Sequence, residues 1–149
     1  MTIIPYEEKY RDDMISMVME AKAALGRVPR LNEDLLAVKE TYLDRGYGFW
    51  LALDENGRVV GCVGWARHDG GEAFLHRLYV KASCKRHGIG SLLLETAEAH
   101  MRASGVDTAR VHLGEPREQW FESYAFYPKH GYFEYAPRYM KKALNGPLA

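Results

Sequence analysis

The stretch between Glu72 and Gly105 restricts the possible folds more than any other part of this sequence. An apolar strand pattern, a short basic loop and an amphipathic helix pattern follow one another there directly. In the helix, apolar residues recur at the spacing of a single face, which predicts that this face is buried. The residues predicted to form the face are Ile89, Leu92, Leu93, Thr96, Ala97 and Met101.

The loop before this helix has the features of an anion site. It reads Lys-Arg-His-Gly-Ile-Gly over residues 85–90 and leads into the first turn of the helix. The first amides of a helix have no partner within it and carry partial positive charge, so a phosphate can bind there. Glycine lets a ligand approach the backbone closely. The sequence therefore predicts a phosphate site at Gly88, Ile89, Gly90 and Ser91.

Two common phosphate motifs do not fit this loop. The nucleoside triphosphate loop ends in glycine followed by lysine, whereas Gly90 is followed by Ser91. The dinucleotide fingerprint needs a third glycine where this sequence has Leu93. The sequence therefore argues against both of these ligand classes.

Patterns along the whole chain predict a single α+β domain over residues 1–149. The predicted elements are a strand at 2–5, helices at 7–25 and 32–46, strands at 49–53, 59–66 and 72–80, the helix that begins at 89, a strand at 109–113, a helix at 117–131, and strands at 132–136 and 138–143. Asn32 is expected to cap the second helix. The order predicts a mixed, mostly antiparallel central sheet flanked by helices.

Charge and cysteine content exclude several classes of function. Twenty basic residues balance twenty acidic ones, so we expect neither a nucleic-acid partner nor a membrane surface. No apolar run reaches the roughly 18 residues of a membrane span, and the acidic start is unlike a signal peptide. Cys62 and Cys84 lie on separate segments, and no metal-ligand spacing is present. These features predict a cytoplasmic protein with reduced thiols and no metal.

Two motifs resemble the GNAT superfamily of acyl-CoA-dependent N-acyltransferases. The pattern Lys85-x-x-Gly88-x-Gly90 is similar to the pyrophosphate loop of the family, in which glutamine or arginine is usual at the first position. Residues 125–132, Ala-Phe-Tyr-Pro-Lys-His-Gly-Tyr, resemble its closing motif. The predicted order of strands and helices also matches the family from Thr2 to about Leu144.

The resemblance implies acetyl-CoA as co-substrate and assigns residues to it. Main-chain groups of Leu78, Tyr79 and Val80 would pair with the pantetheine arm, and one backbone N–H there would face the thioester oxygen. The cations Lys85, Arg86 and His87 would join the amides of residues 88–91 in binding the diphosphate. Trp120 stands where relatives often have an asparagine that helps to hold the pantetheine, which puts that contact in doubt.

The chemistry implied by the resemblance is direct attack of an amine on the thioester in a ternary complex. Tyr127 matches the family's acid position, and a phenol with an ordinary pKa near 10 can protonate the departing thiolate. His76 is one candidate base, although a histidine packed on a sheet face fits its position equally well. Glu72, His112 and Glu115 are alternatives, as is an amine deprotonated through water.

The acceptor is the least defined part of the prediction. We expect a small-molecule amine or a peptide amine that enters beside residues 21–36 and the last two strands. Glutamates can attract a cationic amine there, although solvated surface acids are the commoner interpretation. These glutamates are Glu115, Glu118, Glu122 and Glu134. The aromatic residues Trp120, Phe121 and Tyr124 are expected in the core rather than in a substrate pocket.

Other histidines and other functions complete the set of expectations. His68, His100 and His130 are interpreted as surface or turn residues.

Two functions other than an enzyme remain open. One is a CoA-binding sensor without turnover, and the other is a structural partner domain in which the loop binds no ligand. Homodimers are common in the family, often through the last strands, which makes a homodimer a further expectation that these residues do not test.

Overall fold

The computed structural model describes residues 1–144, and residues 145–149 of the predicted domain lie outside the described part. Strands and helices follow one another in the predicted order. They are β1 (Thr2–Pro5), α1 (Arg11–Ala24), α2 (Val38–Thr41), β2 (Gly48–Leu53), β3 (Val59–Arg67), β4 (Glu72–Val80), α3 (Ile89–Ala103), β5 (Thr108–His112), α4 (Phe121–Lys129), β6 (Phe133–Ala136) and β7 (Tyr139–Ala143).

Seven strands form one sheet in the order β1-β2-β3-β4-β5-β7-β6. All neighbours are antiparallel except β4 and β5, which are parallel. One hydrophobic cluster lies on the face covered by α3 and α4, and a second lies on the face covered by α1 and the α2 region. The predicted α+β architecture with a mostly antiparallel sheet is confirmed. None of the helices between residues 1 and 144 combines the length and the apolarity that a bilayer crossing requires.

The buried face of α3 is rotated from the predicted one. Leu92 is 43% exposed, whereas Leu94 is fully buried. Glu98 is also buried, because its carboxylate accepts hydrogen bonds from Tyr132 (2.7 Å) and Lys142 (3.0 Å). A paired glutamate can thus occupy a helix position that the apolar pattern assigned to solvent.

The second predicted helix is wrong as a continuous element. A 3-10 turn at Glu33–Leu36, the single turn of α2 and a 3-10 turn at Leu43–Arg45 replace it. Asn32 does not cap the first turn; its side-chain oxygen accepts a hydrogen bond from Lys22 at 2.6 Å. The three turns still bury the side chains that gave the helical pattern, and they direct Asp34 and Tyr42 toward β4.

Two irregularities of β4 shape the middle of the sheet. β4 pairs with β5 only from Glu72 to Phe74, and the two strands then separate. On its other edge, β4 carries one extra residue between its pairs with Gly64 and Cys62, and Arg77 has φ +55°. This bulge places the side chains of both His76 and Arg77 on the α1 side of the sheet, where they reach Tyr42 and Asp34.

Candidate active site

A large cleft of about 640 Å³ opens where β4 and β5 separate. Its walls are the end of β4, the glycine loop, the start of α3, one side of α4, and the end of α1 with the turn that follows it. It brings together Tyr127 and most of the residues predicted to bind the co-substrate: Leu78, Tyr79, Val80, Lys85, Arg86, Gly88, Ile89, Gly90 and Ser91. His87 does not line the cleft because its side chain faces solvent at the turn, so its predicted contact is not supported.

The glycine loop presents free amides to this large cleft. Gly88 precedes α3 with φ +78°, a left-handed conformation that glycine adopts without steric cost. The first intrahelical bond joins Leu92 N–H to the Gly88 carbonyl, so the amides of residues 89–91 have no helical acceptor. A β-carbon at Gly90 would lie 3.5 Å from the Phe126 ring, an ordinary contact. The site therefore has room for the glycine or alanine that the family pattern allows there.

Two side-chain contacts join the loop and α3 to α4 across the large cleft. Lys85 forms an ion pair with Glu122, and Ser91 Oγ lies 3.1 Å from His130 Nε2. The His130 ring also packs 4.5 Å from Phe126. His130 lies in the turn after α4, as expected, and is also a half-buried wall of the cleft, while Glu122 is a paired acid. These contacts have no local sequence signal, because they join residues about 40 positions apart along the chain.

The separated edge of β4 offers main-chain groups to the large cleft. Lys81 N–H donates to the Val60 carbonyl of β3 at 2.8 Å. Main-chain groups of successive strand residues point to opposite edges, so residues two positions apart point to the same edge. The main-chain groups of Tyr79, two residues before Lys81, therefore also face β3. Those of Leu78 and Val80 face the open edge. An extended ligand arm can therefore pair with these two residues, while Tyr79 contributes its side chain.

Tyr127 places a phenol at the inner wall of the large cleft. Its ring is buried against Phe126 and Tyr132, with ring centroids 5.2 and 5.4 Å away. Within residues 1–144 no side chain or carbonyl forms a hydrogen bond with its hydroxyl. Burial raises the pKa of Tyr127 well above its ordinary value of 10.0, with a smaller contribution from Tyr79. The hydroxyl is thus protonated at neutral pH and available to a ligand.

His76 lines a second cavity, the small pocket, on the α1 side of β4. This pocket has a volume of about 300 Å³. It is lined by Asp34, Thr41, Tyr42, Arg45, Tyr47, Ala66, Arg67, His76 and Arg77. Burial lowers the pKa of His76 below its ordinary value of 6.5, and the positive charge of Arg77 lowers it further. The imidazole is therefore neutral at pH 7.

A chain of hydrogen bonds connects His76 to a carboxylate. His76 Nδ1 lies 3.2 Å from the Tyr42 oxygen, and the Tyr42 hydroxyl donates to Asp34 at 2.6 Å. Arg77 binds the same carboxylate through two nitrogens, each at 3.0 Å. Burial opposes the charge of Asp34, but the hydrogen bonds from Arg77 and Tyr42 outweigh it, so the pKa of this carboxyl lies below its ordinary value.

The other candidate bases lie outside both cavities. Glu72 pairs with Arg110 at 2.8 Å, and Glu115 pairs with Arg138 at 3.3 Å. His112 is stacked on Tyr139 with ring centroids 4.5 Å apart. Of the four candidates, His76 is the one that lines either of these two cavities.

Two further expectations for aromatic and histidine residues are wrong. Trp120 packs against Gly114 at the surface under the Arg27 guanidinium, 3.5 Å from the ring centroid, and Phe121 is 58% exposed at the mouth of the large cleft. Trp120 is half-buried beneath a cation and Phe121 is exposed, so neither ring belongs to the core, whereas Tyr124 packs against it as expected. His100 accepts a hydrogen bond from the buried Trp65 indole at 3.0 Å and is a packing residue rather than a surface one.

Comparisons with known proteins agree on one family. A model of the acetyltransferase (GNAT) family matches residues 12–132. The structure is similar to an acetyltransferase of the GNAT family from Staphylococcus aureus Mu50, with a TM-score of 0.87, 21% identity and coverage of 97% of this chain and 99% of that one. It is also similar to the PaiA N-acetyltransferase of Thermoplasma acidophilum in complex with coenzyme A, with a TM-score of 0.71, 20% identity and coverage of 95% and 98%.

A curated relative matches in sequence over a shorter range. It is a Danio rerio protein named probable N-acetyltransferase 14, which is 34% identical over 86 residues. The match covers 56% of this chain and 29% of that protein, so it spans less than a third of the relative's length.

Proposed function

The chain belongs to the GNAT acetyltransferase family, and from this premise we propose that it transfers an acetyl group from acetyl-CoA to a primary amine by direct attack. The observation that carries the proposal is the large cleft, where the open edge of β4, the free amides of α3 and the Tyr127 phenol meet. The unpaired thiols Cys62 and Cys84 support a reducing, cytoplasmic setting as part of the same proposal.

Acetyl-CoA would bind through main-chain groups more than through side chains. The diphosphate would lie on the amides of residues 89–91, with Arg86 beside it. The pantetheine arm would extend the sheet along Leu78 and Val80. That a similar structure contains coenzyme A supports a ligand of the CoA type. Lys85 has Glu122 as its partner and therefore contributes less to the diphosphate than Arg86 does.

Proton transfer would be divided between the two faces of β4. The amine nitrogen attacks the thioester carbon, and a backbone N–H at the β4 bulge stabilises the oxyanion. The amine loses its proton to His76, directly or through water. The carbon–sulfur bond then breaks, and the Tyr127 hydroxyl protonates the thiolate. The tyrosinate then regains a proton from solvent and the protonated His76 releases one to solvent, which completes the cycle.

The hydrogen-bond chain supports His76 as the base. Tyr42 has one hydroxyl proton, and Asp34 accepts it. The Tyr42 oxygen can therefore only accept from His76, which fixes the proton on Nδ1. Nε2 is left with its lone pair, the form that a general base requires.

Binding and turnover test the proposal in two steps. We expect acetyl-CoA to raise the melting temperature of the purified chain, since a ligand that binds only the folded state stabilises it. We then expect release of free CoA thiol with at least one member of a panel of primary amines. Stabilisation without thiol release would favour the CoA-binding sensor, and neither effect would leave a structural domain.

A further inference from the structure

The large cleft lies between two strands that have separated. Beyond Phe74 and Arg110, their last pair, β4 and β5 diverge. The end of α1 lies on the β4 side of this gap, because Lys22 Nζ is 5.7 Å from the ring centroid of Tyr79 on β4. The segment between β5 and α4 lies on the other side. Contacts between the end of α1 and this segment therefore bridge the gap.

The turn after α1 holds Arg27 on the β4 side of the gap. Gly26 has φ +76°, a left-handed conformation with which many helices end. The Arg27 N–H then donates to the Lys22 carbonyl in the last turn of α1, at 3.1 Å. The backbone of Arg27 is thus fixed to the end of α1, and its side chain crosses the gap.

Residues 119–120 are fixed on the β5 side of the gap. Trp120 packs directly on Gly114, two residues after the end of β5, and a β-carbon at Gly114 would overlap the indole. The Trp120 carbonyl also accepts a hydrogen bond from the Tyr124 N–H in the first turn of α4, at 3.1 Å. The position of residue 120 is therefore tied to both β5 and α4.

Arg27 joins the two sides. Its Nε and Nη2 donate to the Gln119 carbonyl at 3.2 and 3.1 Å, and its guanidinium lies 3.5 Å from the Trp120 ring centroid. Gln119 Nε2 donates in return to the Gly26 carbonyl at 3.3 Å. These contacts link two segments that are 92 or 93 positions apart. We call the four residues Gly26, Arg27, Gln119 and Trp120 the clasp.

An arginine suits the clasp better than a lysine does. The guanidinium group is planar, so two of its N–H groups can reach one carbonyl while its face lies on an indole. An ammonium group is a compact point charge and cannot reproduce both contacts. The clasp therefore depends on the shape of the Arg27 head group as well as on its charge.

The clasp borders the large cleft where the pantetheine arm is proposed to lie. Arg27 lines this cleft together with Leu78 and Tyr127. A ligand arm that pairs with one strand edge also needs an opposite wall at a fixed distance. We propose that Arg27 is a positioning residue, which through the clasp fixes the width of the gap and thereby holds the pantetheine arm between Leu78 and Tyr127. The inference rests on the proposed binding of acetyl-CoA in the same cleft and adds a residue to it.

The dissociation rate of CoA tests this role. Arg27→Gln removes both bonds to the Gln119 carbonyl and the cation above Trp120, and we expect CoA to dissociate at least about tenfold faster in surface plasmon resonance. Arg27→Lys keeps the charge but not the shape, so its rate should lie closer to that of Arg27→Gln than to the wild type. A wild-type rate in Arg27→Lys would show that Arg27 acts as a charge and would overturn the inference.

A matched control and a double-mutant cycle separate the clasp from general loosening of the fold. Arg117→Gln removes a guanidinium 4.1 Å from the Tyr124 ring, a contact that stays on one side of the gap, and should change the rate less than about twofold. Trp120→Leu breaks the clasp from its uncharged side. Because both residues act through one contact, the double variant Arg27→Gln/Trp120→Leu should change the rate by less than the product of the single effects. Independent effects, or equal effects of Arg117→Gln and Arg27→Gln, contradict the inference.

Turnover distinguishes this inference from the proposed function, because CoA dissociation is measured without it. Faster dissociation in Arg27→Gln, together with no thiol release by the wild type, would confirm the positioning role and overturn acetyl transfer. Thiol release by the wild type, together with an unchanged dissociation rate in Arg27→Gln, would overturn the positioning role and leave acetyl transfer intact. No binding of CoA by the wild-type chain would overturn both.

Discussion

The large cleft, in the gap between β4 and β5, and the small pocket, on the α1 side of β4, are built in different ways. The large cleft is lined mostly by residues close in sequence, 78–91 and 121–130, and its proposed ligand contacts are main-chain amides and strand edges. The small pocket is assembled from the α2 region, β3 and β4, and charged side chains dominate it. A backbone site tolerates side-chain changes, whereas a side-chain site changes specificity with each of them. Under the proposed function, the co-substrate would bind in the cleft and the acceptor amine would react beside His76.

Removal of the Tyr127 hydroxyl should have the largest effect and tests the chemistry assigned to the large cleft. Tyr127→Phe keeps the buried ring, so acetyl-CoA affinity should change less than about twofold. Because the thiolate then leaves without a proton donor, kcat should fall about 10³-fold. Steady-state kinetics and calorimetry measure the two quantities. An unchanged kcat would mean that the cleft only binds the co-substrate and performs no proton transfer.

The next largest effect is expected across β4, in the small pocket. His76→Gln should lower kcat about 10²-fold at pH 7, since a well-placed base contributes at least this much. The pKa of His76 is lowered from 6.5, so the wild-type base is neutral above that lowered pKa and becomes protonated below it. We therefore expect kcat to fall on acidification with a midpoint below pH 6.5, and His76→Gln to abolish this decline.

The alkaline side of the same profile tests the large cleft. Burial raises the pKa of Tyr127 above 10.0, so the acid stays protonated between pH 7 and pH 10, where His76 is neutral. We expect that deprotonation of Tyr127 causes no loss of kcat between pH 7 and pH 10.

The acidic side of the profile can contradict the role of His76. An acidic decline that persists in His76→Gln would remove His76 from the mechanism and leave the amine to lose its proton through water.

Tyr42, which forms hydrogen bonds with both Asp34 and His76, provides a third test in the small pocket. Tyr42→Phe removes the acceptor of the His76 Nδ1 proton and leaves the ring packed on Phe49, 5.1 Å away. We expect kcat to fall about tenfold as the wrong tautomer becomes populated, with the KM for acetyl-CoA unchanged. Tyr6→Phe is the matched control, because Tyr6 also packs on Phe49 but bonds only Glu8. Similar losses in both variants would indicate a packing effect.

The smallest effect is expected where the large cleft uses a side chain. Lys85→Gln introduces a residue that the family commonly has there and breaks the ion pair with Glu122. Since a partly exposed ion pair contributes about 0–1 kcal/mol, the Kd for acetyl-CoA should change less than about threefold. Titration of both proteins with acetyl-CoA measures it. A change of a hundredfold would show that side chains, rather than amides, bind the diphosphate.

The large cleft could be predicted from the sequence, whereas the small pocket could not. The strand, loop and helix around Gly88 and Gly90 are local, so their pattern predicted both the fold and the cleft. The contacts of Asp34, Tyr42 and His76 depend on the bulge at Arg77 and on the broken second helix, neither of which has a local signal. The predicted contact of His87 with the diphosphate has no support in the structure, because that side chain is exposed at the turn.

A crystal structure of the chain with acetyl-CoA would test the central proposal most directly. We expect the diphosphate oxygens within hydrogen-bond distance of the amides of residues 89–91, the pantetheine along Leu78 and Val80, and the sulfur beside the Tyr127 hydroxyl. The thioester carbon should lie open toward His76 and the small pocket. Acetyl-CoA bound away from the start of α3, or a thioester separated from the small pocket by β4, would contradict it.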